Sequence, residues 1–167
     1  MSFSLTMDTR ELEDFQRALS RIGDLPQKIT RQAAGKGATV IRKAIRSEAP
    51  VGETGQLRRG IARHKERTRT VRGKAVYDVW IDPSKNDIFQ KPIKNPGAAG
   101  GAKHAWAYYP ASMEYGFLTR SKGNGLSYVP GYHFMRDAAD AAAPEARQVI
   151  IDTAMEKIEQ EWARRNP

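Results

Sequence analysis

The chain predicts an α+β fold: a small, mainly antiparallel sheet packed against two N-terminal helices and a C-terminal helix. Three observations predict it. Apolar residues recur at helical spacing near both ends of the chain. Between residues 61 and 82 the pattern changes to a period of two, the signature of strands. Between the two regimes lies Ala49-Pro50-Val51-Gly52-Glu53-Thr54-Gly55-Gln56-Leu57, a breaker-rich corner that joins helix to strand.

Asp8 or Thr9 can cap a first helix, and Leu12, Phe15, Leu19 and Ile22 form its apolar stripe. Gly23-Asp24 ends it. Pro26 suits the first turn of a second helix that runs to about Glu48. Gly35 and Gly37 inside that helix each cost about 0.5–1 kcal/mol relative to Ala. Close approach of another backbone would offset that cost, and a kink is the alternative. Pro50 drives Ala49 out of the helical region. Gly52 and Gly55 allow positive φ, and Thr54 can hydrogen-bond its own backbone. Pro50, Thr54, Gly55 and Leu57 therefore read as a structural corner, with Leu57 buried.

From Ile61 to Val71 the residues alternate, with Arg63, Lys65, Arg67 and Arg69 on one face. Successive cations lie about 6.5–7 Å apart and repel, so this face is expected to be exposed and to meet a protein partner or DNA. Arg72-Gly73-Lys74 makes a turn, and Ala75 to Asp82 returns as a second strand rich in β-formers. Residues 83–104 lack periodicity and read as a long loop or arm within one domain, 1–167, that orders against a neighbour. An aromatic block follows at 105–116, then a flexible turn at 121–125. Residues 130–138 lead into a terminal helix whose main part starts at Pro144, with a stripe of Ile151, Met155, Ile158 and Trp162.

Composition narrows the function. The net charge is +9, and residues 58–74 carry eight Lys/Arg against Glu66 alone. That calls for a polyanion or an acidic protein surface as partner, unless the run is simply a solvated strand. There is no cysteine, which excludes disulfides, thiolate metal sites and Cys nucleophiles. No run approaches the roughly 18–20 apolar residues of a membrane span, and the first ten residues do not read as a signal peptide. His64, His104 and His133 lie in unrelated segments without metal-site spacing, and no phosphate-binding Gly motif opens a helix. No catalytic residue, metal or cofactor is expected, and the protein is not expected to be an enzyme. The one conceivable metal set, Asp78, Asp82 and Glu114, is scattered.

Three separated motifs add a resemblance. They are Ala49-Pro50 with Thr54-Gly55-Gln56-Leu57, then Tyr108-Tyr109 with Met113-Glu114-Tyr115-Gly116, then Pro130 with His133-Phe134-Met135-Arg136-Asp137-Ala138. In order and spacing the chain resembles the gene-product-ten family of lambdoid long-tailed bacteriophages. Three departures stand out: Pro130-Gly131-Tyr132-His133-Phe134 replaces a tighter Pro-Phe, Asp137 stands where the family often has proline, and the loop at 83–104 is longer than the family leads one to expect.

The resemblance implies a structural virion protein of the neck or upper tail, in tail completion or head–tail joining, assembled in the host cytoplasm. It implies a homo-oligomeric ring, a hexamer by the tail's symmetry. Its partners would be tail-terminator, head-closure or tail-tube proteins, with transient contact to phage DNA and none to a membrane. Glu114, Gly116, Phe134 and Arg136 read as a structural carboxylate and helix-start motif, with Glu114 either capping backbone N–H groups or pairing with Arg58 or Arg136. Against this stand a basic nucleic-acid-binding module using the cationic strand on phosphates and, more remotely, a metal-dependent nuclease.

Overall fold

A computed structural model describes residues 26–68, 73–92, 106–120 and 125–165. The helix expected over residues 8–22 lies outside them, as does Arg69. The fold is α+β. Helix α1 (Pro26–Glu48) leads through a short α2 (Gln56–Gly60) into the antiparallel hairpin β1 (Ile61–Glu66) and β2 (Val76–Ile81). A 3-10 turn (Pro83–Lys85) and a one-turn α3 (Asn86–Phe89) follow. Next come β3 (Gln90–Pro92), β4 (Trp106–Tyr108), α4 (Tyr109–Tyr115), β5 (Phe117–Arg120), β6 (Leu126–Val129) and the 32-residue α5 (Phe134–Arg165). The strands form three separate two-stranded ladders, β1-β2, β3-β4 and β5-β6, where one sheet was expected.

The core sits where α1, the corner, the hairpin and the start of α5 converge. Ile45, Ala49, Leu57, Ile61, Phe134 and Ala138 are all buried there, with Val79 and Ile81 of β2 packed against them. The terminal helix packs chiefly along α1, more than on any strand. The two helices run antiparallel, since Ile45 meets the level of Ala138 while Gly37 faces Ala146 and Ile150. This explains Gly37. A Cβ there would lie 2.5 Å from Ile150 Cγ1 and 3.2 Å from the Ala146 carbonyl oxygen. Close helix approach, not a kink, is the reason for the glycine.

Three expectations are corrected. The corner does not pass straight into a strand: Gly55, at φ 59°, starts the helical turn α2, and its carbonyl accepts from Arg59 N–H. The stretch from Pro83 is ordered as far as Pro92. Asp82 Oδ1 accepts from Ser84 N–H, which holds this carboxyl below its ordinary pKa with help from the Ser84 side chain. Phe89 is buried against Gly60, where a Cβ would stand 2.6 Å from the ring, and its edge meets Tyr108 at 6.3 Å between centroids. Burial there raises the Tyr108 pKa. Residues 93–105 lie outside the described set. Finally, α5 starts at Phe134 and runs through Pro144. A proline in mid-helix removes one backbone hydrogen bond, and packing of Ala138, Ala142 and Ala146 carries the helix past it.

Candidate functional site

The cationic face of β1 is the first candidate. The face bearing Arg63 and Lys65 is also the face of Ile61, which is completely buried. It therefore leans toward α1. Arg63 resolves the conflict by reaching across. Its Nη1 donates to the Gly35 carbonyl and, at 2.8 Å, to Thr39 Oγ1, and its guanidinium lies 5.4 Å from the Tyr77 ring centroid. A Cβ on Gly35 would press on Arg63 and on the Tyr77 hydroxyl, so that glycine makes room for this contact. Lys65 is half-buried and Arg67 is exposed beyond the strand end. The opposite face stacks His64 on Trp80, 4.8 Å between centroids.

Other cations of the basic run are also held by this chain. Arg58 Nη2 donates to the carbonyls of Ser47 at 3.0 Å and Ala49 at 3.4 Å, capping the C-terminal end of α1. Arg59 donates to the Thr54 carbonyl at 2.8 Å. From α1, Arg46 donates twice to the Ile61 carbonyl, at 3.0 and 2.8 Å. Between Pro50, half-buried, and Leu57, 2 % exposed, Thr54 stands in solvent. The corner is thus tied by arginine-to-carbonyl bonds, a pairing of residues that spacing alone does not reveal.

The second candidate is the knot at Glu114. This residue is only 5 % exposed, at the end of α4. Its Oε2 accepts from Met135 N–H at 2.9 Å and its Oε1 from Arg136 N–H at 3.1 Å. Those are donors of the first turn of α5, which have no partner inside the helix. The residue before the helix, His133, has φ 50° and contributes its carbonyl to Asp137 N–H. Glu114 thus caps a helix from 21 residues away, the distance in sequence to Met135. Backbone bonds reinforce it: Tyr132 N–H to Met113 carbonyl and His133 N–H to Glu114 carbonyl. Gly116, at φ 85°, and Gly131 let the two chains cross with no space for a Cβ. Phe134 is buried in the core, and the Arg136 side chain pairs with Asp137 at 2.9 Å in solvent.

Two further surfaces were not read as sites. One is the β5-β6 hairpin, whose strands leave Phe117, Leu118, Leu126, Tyr128 and Val129 exposed. The other is the outer stripe of α5, where Ile151, Met155, Ile158 and Trp162 face solvent among the described residues. Between α1 and α5 runs a groove of about 690 Å³, floored by Ala44, Ala138 and Ala142 and rimmed by Glu48, Asp137 and Glu145. Among the described residues no group of three or more His, Cys, Asp or Glu is placed to hold a metal ion. No described helix is long and apolar enough to cross a membrane. Both Glu114 oxygens are committed to backbone donors, which weighs against the scattered carboxylate set.

Fold and surfaces together define a small α+β protein with large apolar side chains displayed on β5-β6 and along the outer stripe of α5. Residues 13–85, spanning α1, the corner and the basic hairpin, match the model of the HK97-gp10-like family, described as "Bacteriophage HK97-gp10, putative tail-component". That segment is similar to the gp10 family of phage tail components. The Glu114 knot and α5 lie beyond the matched segment. No curated protein and no solved structure matches the chain.

Proposed function

We propose that this protein completes the tail or joins it to the head, as a ring at the neck or upper tail, and that it works by contact and not by catalysis. A hexamer fits the symmetry of a long tail, and closed symmetry is the usual way for one kind of chain to encircle a channel. The observation that carries the reading is the display of large apolar side chains on β5-β6 and on α5 by a chain whose residues 13–85 are similar to a phage tail-component family. Contiguous apolar surface of this kind marks protein–protein contact. In this reading Lys65 and Arg67 face an acidic rim of a neighbouring neck protein.

A second reading is favoured by the net charge of +9: the basic hairpin meets the phosphates of DNA in the channel. The retention of Arg58, Arg59 and Arg63 by this chain's own carbonyls weakens it. The test is light scattering coupled to size exclusion, with and without duplex DNA, across a salt series. A discrete oligomer indifferent to DNA supports the ring. A monomer whose DNA affinity falls steeply with salt overturns it in favour of the second reading.

A further inference from the structure

We propose that the exposed face of α1 binds the phosphates of duplex DNA. This goes beyond the contact reading, and the ring stands or falls without it. The sequence draws attention to the basic hairpin, but Arg58, Arg59 and Arg63 are held by carbonyls of this chain. Cations open to a partner stand on α1 instead. From Pro26 to Ser47 that helix carries Lys28, Arg31, Lys36, Arg42, Lys43 and Arg46, and no Asp or Glu. Arg46 is tied to the Ile61 carbonyl and Arg42 is half-buried, whereas Lys28, Arg31, Lys36 and Lys43 are all exposed. None of these four is in an ion pair with a described residue.

Helical geometry gathers them. At about 100° per residue, Lys28, Gln32, Lys36 and Lys43 fall within an arc of about 80°, with Arg31 about 60° to one side. At about 1.5 Å per residue, the row from Lys28 to Lys43 is about 22 Å long. A fifth cation joins from the hairpin. Gln27 Nε2 donates to the Lys74 carbonyl at 3.3 Å, which sets the exposed Lys74 beside the first turn of α1, on the side of Arg31.

The composition of this face favours DNA over a protein. No large apolar residue of α1 is exposed. Protein interfaces are built around desolvated apolar and aromatic anchors, and their cores are depleted of Lys. Helix α1 has no such anchor, in contrast to β5-β6 and α5. Lys, Arg, Gln and Ser are instead the donors that meet phosphate oxygens. Helix α1 also has no aromatic residue, so it lacks the stacking platform that single strands use. A straight cationic ridge without acids, anchors or rings suits the backbone of a duplex, held without regard to sequence.

The experiment measures binding of the full chain to a short labelled duplex by fluorescence anisotropy across a salt series, with oligomer mass read by light scattering in the same buffers. Four phosphate contacts give a slope of about −3.6 in log K against log salt, a loss of roughly a hundredfold between about 50 and 200 mM. Changing Lys28, Arg31, Lys36 and Lys43 together to Gln should remove most of that slope and lower affinity at least about tenfold at low salt. A variant that keeps the parent slope would overturn the proposal. So would loss of binding in Lys65→Gln/Arg67→Gln with none in the α1 variant, because the hairpin would then be the DNA surface. Polyglutamate that binds as tightly as DNA, and loses affinity in the same variant, would overturn it in favour of an acidic protein. Tighter binding of a single strand than of the duplex would also overturn it. A discrete oligomer indifferent to DNA would overturn this inference and leave the ring standing. A monomer that binds duplex DNA through the α1 cations would uphold it and remove the ring. Should the fourfold variant fail to fold, Lys36→Gln and Lys43→Gln decide singly, each expected to flatten the slope by about 0.9.

Discussion

Glu114→Gln should destabilise the protein by about 2–4 kcal/mol, although the change removes one charge and no volume. The carboxylate receives two N–H groups of the first turn of α5, at 2.9 and 3.1 Å, while almost entirely buried. Hydrogen bonds to a charged group each contribute about 1.5–3 kcal/mol net, and negative charge at a helix start adds about 0.3–1 kcal/mol. An amide retains one acceptor. Its NH₂ must then point at the other backbone donor, leaving that donor unmet in a place water does not reach. Desolvation of the carboxylate works in the opposite direction. The geometry decides the sign, because no rotation of the amide satisfies both donors. With a urea slope of roughly 2 kcal/mol per molar, the unfolding midpoint should fall by about 1–2 M. For a chain of this length, Tm should fall by roughly 4–16 °C. The exposed acid Asp137 is the control: Asp137→Asn should cost no more than about 1 kcal/mol. A Glu114→Gln protein whose midpoint coincides with the parent would refute the account of Glu114 as the cap of α5.

Leu57→Ala should cost about 2–5 kcal/mol, read from chemical denaturation, since Leu57 belongs to the buried cluster and is 2 % exposed. An unchanged midpoint would mean that the corner is not packed. Gly60→Ala should cost about 1–3 kcal/mol in the same assay, because the new methyl meets the buried Phe89 ring, which has nowhere to move. Arg63→Gln and Arg67→Gln should differ. The first loses the bridge to Gly35 and Thr39 and should cost about 1 kcal/mol, whereas the second should stay within about 0.5 kcal/mol. Equal effects would show that the Arg63 bridge contributes nothing to stability.

The chain determined several features locally. Period and punctuation set the bounds of α1, the start of β1 and the bounds of β2 to within a few residues, because Pro26, Pro50 and the alternation after Ile61 act on their own neighbours; β1 itself ends at Glu66, short of the expected Val71. Leu57 was legible as buried for the same reason. Other features were decided only by the tertiary structure. Gly37 carries no mark in sequence of the helix it accommodates; Ile150 and Ala146 are more than a hundred residues away. The alternation after Ile61 reads as four cations on one face, but only α1, lying under the face of β1, turned Arg63 into a bridge within the chain. Pro144 signals a helix start by itself and lost to the alanines packed on α1 around it. Glu114 was readable as a carboxylate with a structural task, but its partners, Met135 and Arg136 N–H, came within reach only when Gly116 and Gly131 crossed. Local rules act through bonded neighbours and fix elements; the pairing of a carboxylate with a distant helix end, or of an arginine with another element's carbonyl, depends on which surfaces the fold brings within about 3 Å.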